Sequence, residues 1–307
     1  MLQALINALA LGSAYALLAL GFVLIVNATS AVNFTQGDMV MAGGYVAIAF
    51  ATVLDVPGVL LLPLVMVVMV LVGLGFSSVA YFPLKSRPPV SVFISTIALG
   101  IMFQNTANAL YGAAPRAAPP LFGTGLVDVA GASVPQQSLA VIGVAALLIL
   151  GQWWLFARTT LGRRLRATAQ DRVMAEAVGI RVNWMIALTF GLASALAGAA
   201  GLLLANTFFV SPTDGSNYII KAYIAVTIGG WGSLGGAVLG ALLIALFEVI
   251  YPSLPTLLGL AGGAEAAAWT KVVFSQTLAT IILYAVVLAI LFFRPQGIFG
   301  EVIQRRA

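Results

Sequence analysis

The 307-residue chain is 62% hydrophobic and only 7% charged, carries a formal net charge of +5, and contains neither cysteine nor histidine. Soluble domains carry roughly 25% charged residues, so a composition this apolar excludes a water-soluble fold and points to an integral membrane protein. The missing residue types remove disulfides, thiol nucleophiles and the usual general base at neutral pH, and with them most enzyme chemistry.

The opening stretch MLQALINALALGSAYALLALGFVLIV is as hydrophobic as a signal peptide. It lacks the basic leading region, however, and runs too long. A retained spanning helix is therefore expected over about 2–26. Further apolar runs follow at about 38–54, 59–82, 90–111, 137–157, 184–208, 234–251 and 273–293. Their uncharged length predicts helices, because barrel strands would alternate over about ten residues. The 32 glycines suit such helices, since small residues allow close approach in a membrane. The loop at about 112–136, with PRAAPP inside it, is expected to cap one surface without a fold of its own.

Sidedness follows from the basic residues of the short loops. Lys85 and Arg87 lie in PLKSRPP, six arginines lie between 158 and 181, and Arg294, Arg305 and Arg306 follow the last apolar run. Placing these segments in the cytoplasm puts eleven of the fourteen basic residues inside and leaves Arg116, Lys221 and Lys271 outside. Glu248 and Lys271 are then expected near the outer surface as solvated or paired charges, without a function.

This assignment requires an odd number of crossings after Asp214, where only two long apolar runs remain. The stretch IIKAYIAVTIGGWGSLGGAVLG supplies the missing one. Residues about 219–230 are expected as a short or partly extended crossing, broken from the next helix by Gly229, Gly230, Gly232, Gly235 and Gly236, because glycine permits turns that other residues resist. Irregular backbone is tolerated at membrane depth where protein or a water-filled cavity surrounds it. The expected fold is an all-α polytopic membrane protein: one transmembrane domain over 1–307, with eight long helices, one short crossing, the N-terminus outside and the C-terminus inside. A long kinked helix with an inverted N-terminus is the alternative. A weak echo between AYALLALGF at 14–22 and AYIAVTIGG at 222–230 is either an old repeat or shared composition.

The arginine segment, residues 158–182, carries six basic and two acidic residues. Its charge is accounted for in part by sidedness and by attraction to anionic lipid. The order of its residues is more specific. No helix breaker falls between Arg163 and Val178, and Gly179 stands where a left-handed cap would end a helix. Asp171, Met174, Ala175 and Val178 fall at i, i+3, i+4 and i+7, on one predicted face. Arg163, Arg164 and Arg166 crowd the N-terminal end, where the helix dipole disfavours cations. This is a poor design for an isolated helix and a sensible one for a surface that docks onto another protein.

Polar residues inside apolar helices are the other candidates, because polar atoms facing hydrocarbon are costly. Gln104, Asn105 and Asn108 form the densest such cluster, with Gln104 and Asn108 on one face. They either line a path or tie helices together. Asn33, Gln36 and Asp38 begin the second helix after a broken segment, where free amides can meet a carboxylate. Their alternatives are pathway or gating on one side and simple capping on the other.

Four stretches together carry a family resemblance. The run Arg166, Ala167, Ala169, Asp171, Ala175, Gly179, Ile180 resembles the cytoplasmic coupling loop of the inner-membrane permeases of branched-chain amino acid ABC importers, the LivH-type group. GSAYALLALGFVLI followed by VNFTQGDMVMAGGYVA resembles the group's first helix and its Asn-Phe-x-x-Gly-acidic segment, here Asn33, Phe34, Gly37 and Asp38. IGGWGSLGGAVLGALL resembles its glycine-rich segment, and RPQGIFG its C-terminal ending. Gln36 departs from the pattern, since many amino acid permeases of the group have histidine there, and related urea and amide permeases share the same framework.

The resemblance implies a permease that moves branched-chain or other apolar amino acids inward, in a bacterial or archaeal inner membrane. It implies as partners a paralogous permease or a second copy, two cytoplasmic ATPases, a solute-binding protein and the lipid bilayer, with no nucleic acid. No Gly-x-x-x-x-Gly-Lys-Ser/Thr loop is present, so ATP and magnesium are expected on the ATPases, with no cofactor on this chain. A stand-alone secondary transporter or channel is the rival from another class. It is weakened by the absence of histidine and by the small number of carboxylates, Asp38 and Glu248, near helix ends.

Overall fold

The computed structural model describes residues 2–54, 57–123, 125–129, 132–257, 270, 272–294 and 296–298. In chain order the elements are α1 (Leu2–Thr29), α2 (Gln36–Leu54), α3 (Gly58–Phe76), α4 (Pro89–Tyr111), β1 (Leu126–Val129), β2 (Ala132–Pro135), α5 (Gln136–Arg158), α6 (Thr160–Gln170), α7 (Arg172–Ala177), α8 (Val182–Phe208), α9 (Asp214–Gly229), α10 (Leu234–Leu257) and α11 (Gln276–Phe293). Among the described residues, eight helical segments are long and apolar enough to cross a membrane. They coincide with the eight apolar runs. The protein is an all-α polytopic membrane protein, as its composition requires.

Two helices form the centre. α1 and α8 are apolar around their whole circumference, as helices surrounded by other spanning helices can be, and both are buried along most of their length. α1 packs on α10, α8, α5 and α9, and α8 packs on α3, α2 and α1. Glycine makes these approaches possible. Gly43 of α2 faces Gly198 of α8 backbone to backbone, and Gly201 lies against the carbonyl of Val40, so that a methyl group at any of the three would collide. The outer helices α4, α5 and α11 bury little of their own surface.

The segment expected as a short crossing folds as a regular helix, α9, of 16 residues. It starts at Asp214, five residues before the expected boundary, because its first turn is polar and therefore escapes an apolar window. Its end is where the glycines predict it. Gly230 and Gly232 have φ of 109° and 85°, the left-handed region that glycine adopts without steric cost. Gly229 and Gly236 pack against one another across the α9–α10 turn with no room for a side chain, whereas Gly235 faces open space.

The loop after α4 is more ordered than expected. It holds an antiparallel hairpin in which Leu126 pairs with Pro135, and Arg116 and Val210 exchange backbone hydrogen bonds of 2.9 and 2.7 Å. It thereby laces α4 to the end of α8.

Candidate functional site

The arginine segment folds as two short helices and not as the single helix expected from 163 to 178. Thr159 opens α6 by accepting a hydrogen bond from the Gly162 amide at 3.0 Å. Asp171 then leaves helical geometry (φ −153°, ψ 111°) and accepts from the Met174 amide at 3.0 Å, so it caps α7. Aspartate competes for backbone amides in this way, which favours caps over helix interiors. The break also divides the predicted face. Ala175 is buried, whereas Met174 and Val178, joined by Val173, project outward at 65%, 75% and 77% exposure. Gly179 adopts φ 83° and closes the segment, with the Ile180 amide reaching back to Ala175 at 3.0 Å. Arg163, Arg164 and Arg166 are exposed.

The described basic segments gather at one end of the bundle. Arg172 donates to the Tyr81 hydroxyl at 3.3 Å, and Lys85 donates to Asn183 at 3.1 Å. Arg166 borders the same cavity as Gly232, and the Ile298 amide, just past Arg294, reaches the carbonyl of Ile228 at 2.9 Å. Lys271, Arg305 and Arg306 lie outside the described residues. Glu248, expected as a solvated or paired charge, is paired: Lys221, within the segment expected as a short crossing, meets it at 2.7 Å between α9 and α10, with both side chains mostly buried.

A second constellation forms where the α1–α2 break enters the bundle. Gln36 donates to the carbonyl of Ala193 at 3.0 Å. That contact lies eleven residues beyond the start of α8, roughly 16 Å along it. α2 thus begins at depth. Asn33 serves the break itself, accepting from the Thr35 amide at 3.1 Å and donating to Gln36 at 3.5 Å. Thr96 of α4 ties the break from outside by accepting from the Phe34 amide at 3.2 Å.

Asp38 is only 5% exposed. Gln104 of α4 donates to it at 2.8 Å and also to the Ser216 hydroxyl of α9 at 3.3 Å. Gly100 and Gly215 complete the enclosure, since a methyl group on either would strike a carboxylate oxygen. The carboxylate therefore sits beside the first turn of α9, whose positive dipole end favours it. The structure pairs Asn33 with Gln36 and Asp38 with Gln104, and it leaves the other two candidates outside. Asn105 donates to its own helix at Ile101, 2.8 Å away, and both Asn105 and Asn108 are exposed. With exposed Ser216 and Asn217 they form a polar flank on α4 and α9.

Sequence reasoning missed Thr96, Gly100, Gly215 and Ser216. Single small residues in apolar runs give little signal, although Pro212, Asp214 and Gly215 together mark a helix start at the correct position.

Comparison with known proteins agrees with the geometry. A family model described as the branched-chain amino acid transport system/permease component matches residues 4–291. The high-affinity branched-chain amino acid transport system permease protein BraD of Pseudomonas aeruginosa is 32% identical, over 98% of this chain and 96% of its own length. The permease protein LivH of the high-affinity branched-chain amino acid transport system of Escherichia coli is 29% identical over the same shares. The ribose import permease protein RbsC of Haemophilus influenzae is 25% identical over 78% of this chain and 73% of its own. The eight apolar helices and a family match that takes in nearly all of them lead to one conclusion: this chain belongs to the permease component family of the branched-chain amino acid transport system.

Proposed function

We propose that this chain is the transmembrane subunit of a binding-protein-dependent ABC importer that moves branched-chain or other apolar amino acids inward. The observation that carries the reading is the outward apolar trio Val173, Met174 and Val178, on a helix whose two ends are fixed by Asp171 and Gly179. Three large apolar side chains held in this way, beside exposed arginines, suit a protein partner better than water. The partners are two cytoplasmic ATPases, which hold ATP and magnesium, a paralogous permease or a second copy, and an external solute-binding protein. The arginine end faces the cytoplasm of a bacterial or archaeal cell, with the N-terminus outside, and residues 158–182 are the coupling loop of a single permease domain.

Nucleotide-driven closure of the ATPases displaces α6 and α7, and rigid-body tilting alternates access. Asn33 and Gln36 fix the start of α2 against α8, Asp38 and Gln104 join α2 to α4 and α9, and the four together gate that movement. The polar flank of Asn105, Asn108, Ser216 and Asn217 lines the path where a second permease packs, because those groups are costly against lipid.

ATP-dependent uptake of radiolabelled leucine into proteoliposomes, with ATPases and binding protein co-purified, tests the proposal. Uptake by wild type, and its loss together with ATPase binding in Asp171→Arg, is the expected result. Unchanged uptake in the variant removes the coupling assignment. Wild-type vesicles that accumulate urea and no leucine overturn the substrate.

A further inference from the structure

A cavity of about 730 Å³ opens at the arginine end between α1, α5, α6, α8 and the α9–α10 turn. Its apolar lining includes Leu24, Phe156 and Leu165 with two tryptophans, Trp153 and Trp231. Arg166, Gln170, Asn27, Thr189 and Ser233 are its polar groups, and no acidic residue lines it. Arg166 gives one donor to the carbonyl of Phe156, and a guanidinium has five.

Two observations identify the occupant. The first is charge: the single ionised lining group is the cationic Arg166, in a segment where Arg158, Arg163, Arg164 and Arg181 are exposed as well. The second is continuity with lipid. The α5 face leading to the cavity presents Leu147, Leu150, Trp153 and Trp154 at 60% to 68% exposure, and α5 is a spanning helix of which little is buried. An acyl chain lying along this face ends where Trp153 and Arg166 stand. Aromatic side chains mark the level of lipid headgroups, and basic pockets between spanning helices hold anionic ones. We infer that this cavity seats the phosphate headgroup and upper acyl chain of an anionic phospholipid, bonded by Arg166 and packed against Trp153. The inference rests on the helices spanning a membrane and not on the substrate carried.

The test uses the full chain, purified alone in detergent and titrated with phosphatidylglycerol, with phosphatidylcholine and with inorganic phosphate. Native mass spectrometry reads lipid retention, and quenching of tryptophan fluorescence by brominated acyl chains reads position. Wild type is expected to prefer phosphatidylglycerol about fivefold, the effect of about one basic contact. Arg166→Gln should abolish that preference, and Ala169→Trp, which fills the cavity without changing charge, should lose retention and quenching together. Arg163→Gln, outside the cavity, should retain both. Equal retention of the two lipids by wild type, a preference indifferent to Arg166→Gln and Ala169→Trp, or displacement of the lipid by inorganic phosphate would overturn the proposal. Because neither ATPases nor leucine is present, failure here is distinct from failure of the transport assay.

Discussion

Lys221 and Glu248 meet at 2.7 Å inside the helix bundle, with side-chain exposures of 11% and 16%. Gln276 of α11 donates to Glu248 at 3.1 Å, and the Tyr15 hydroxyl of α1 approaches it at 3.5 Å. One ion pair thus joins α1, α9, α10 and α11. Removing one partner of a buried pair costs about 3–5 kcal/mol, whereas replacing both by apolar groups is often neutral. Lys221→Met is expected to lower the thermal midpoint in detergent sharply, and Lys221→Met with Glu248→Leu to recover most of it. A double variant as unstable as the single one would show that the partners do not act as a pair.

Gln104 donates to both Asp38 and Ser216. Hydrogen bonds to charged groups contribute about 1.5–3 kcal/mol, so Gln104→Leu leaves the enclosed Asp38 carboxylate without its side-chain donor. Slower uptake is expected, with the ATPases still bound. The readout is the initial leucine uptake rate in proteoliposomes beside the yield of intact complex; wild-type rates would remove Gln104 from the gating group.

Met174 is 65% exposed at the centre of the apolar trio. Met174→Glu should leave the folded chain intact, since nothing internal packs on an outward side chain, and should reduce co-purified ATPase more than tenfold. Asp171→Ala should have a milder effect through loss of the cap, about 1 kcal/mol. Affinity pull-down with measured ATPase stoichiometry distinguishes the two, and full ATPase recovery in Met174→Glu would place the docking surface elsewhere.

Gly43 and Gly198 touch through their backbones. Gly43→Leu must force α2 and α8 apart, and overpacking costs typically 1–3 kcal/mol, occasionally more. Loss of monodisperse protein in size-exclusion chromatography is expected. Gly143→Leu, on open space along α5, is the matched control and should elute as wild type.

Much of this protein is determined by local sequence. Runs of uncharged residues longer than about 18 must cross a membrane as helices, because hydrocarbon leaves backbone amides no other partner. The eight spans, the left-handed turns at Gly179 and Gly230 and the grouping of the described basic segments at one end follow from that constraint and from glycine's freedom. The tertiary structure decided what depends on partners distant in sequence. Lys221 and Glu248, 27 positions apart, become a buried pair only when α9 folds back on α10. Asp38 has a defined environment only because α2, α4 and α9 converge on it, and the small residues that allow this, Gly100 and Gly215, carry no chemical signal until the helices are packed.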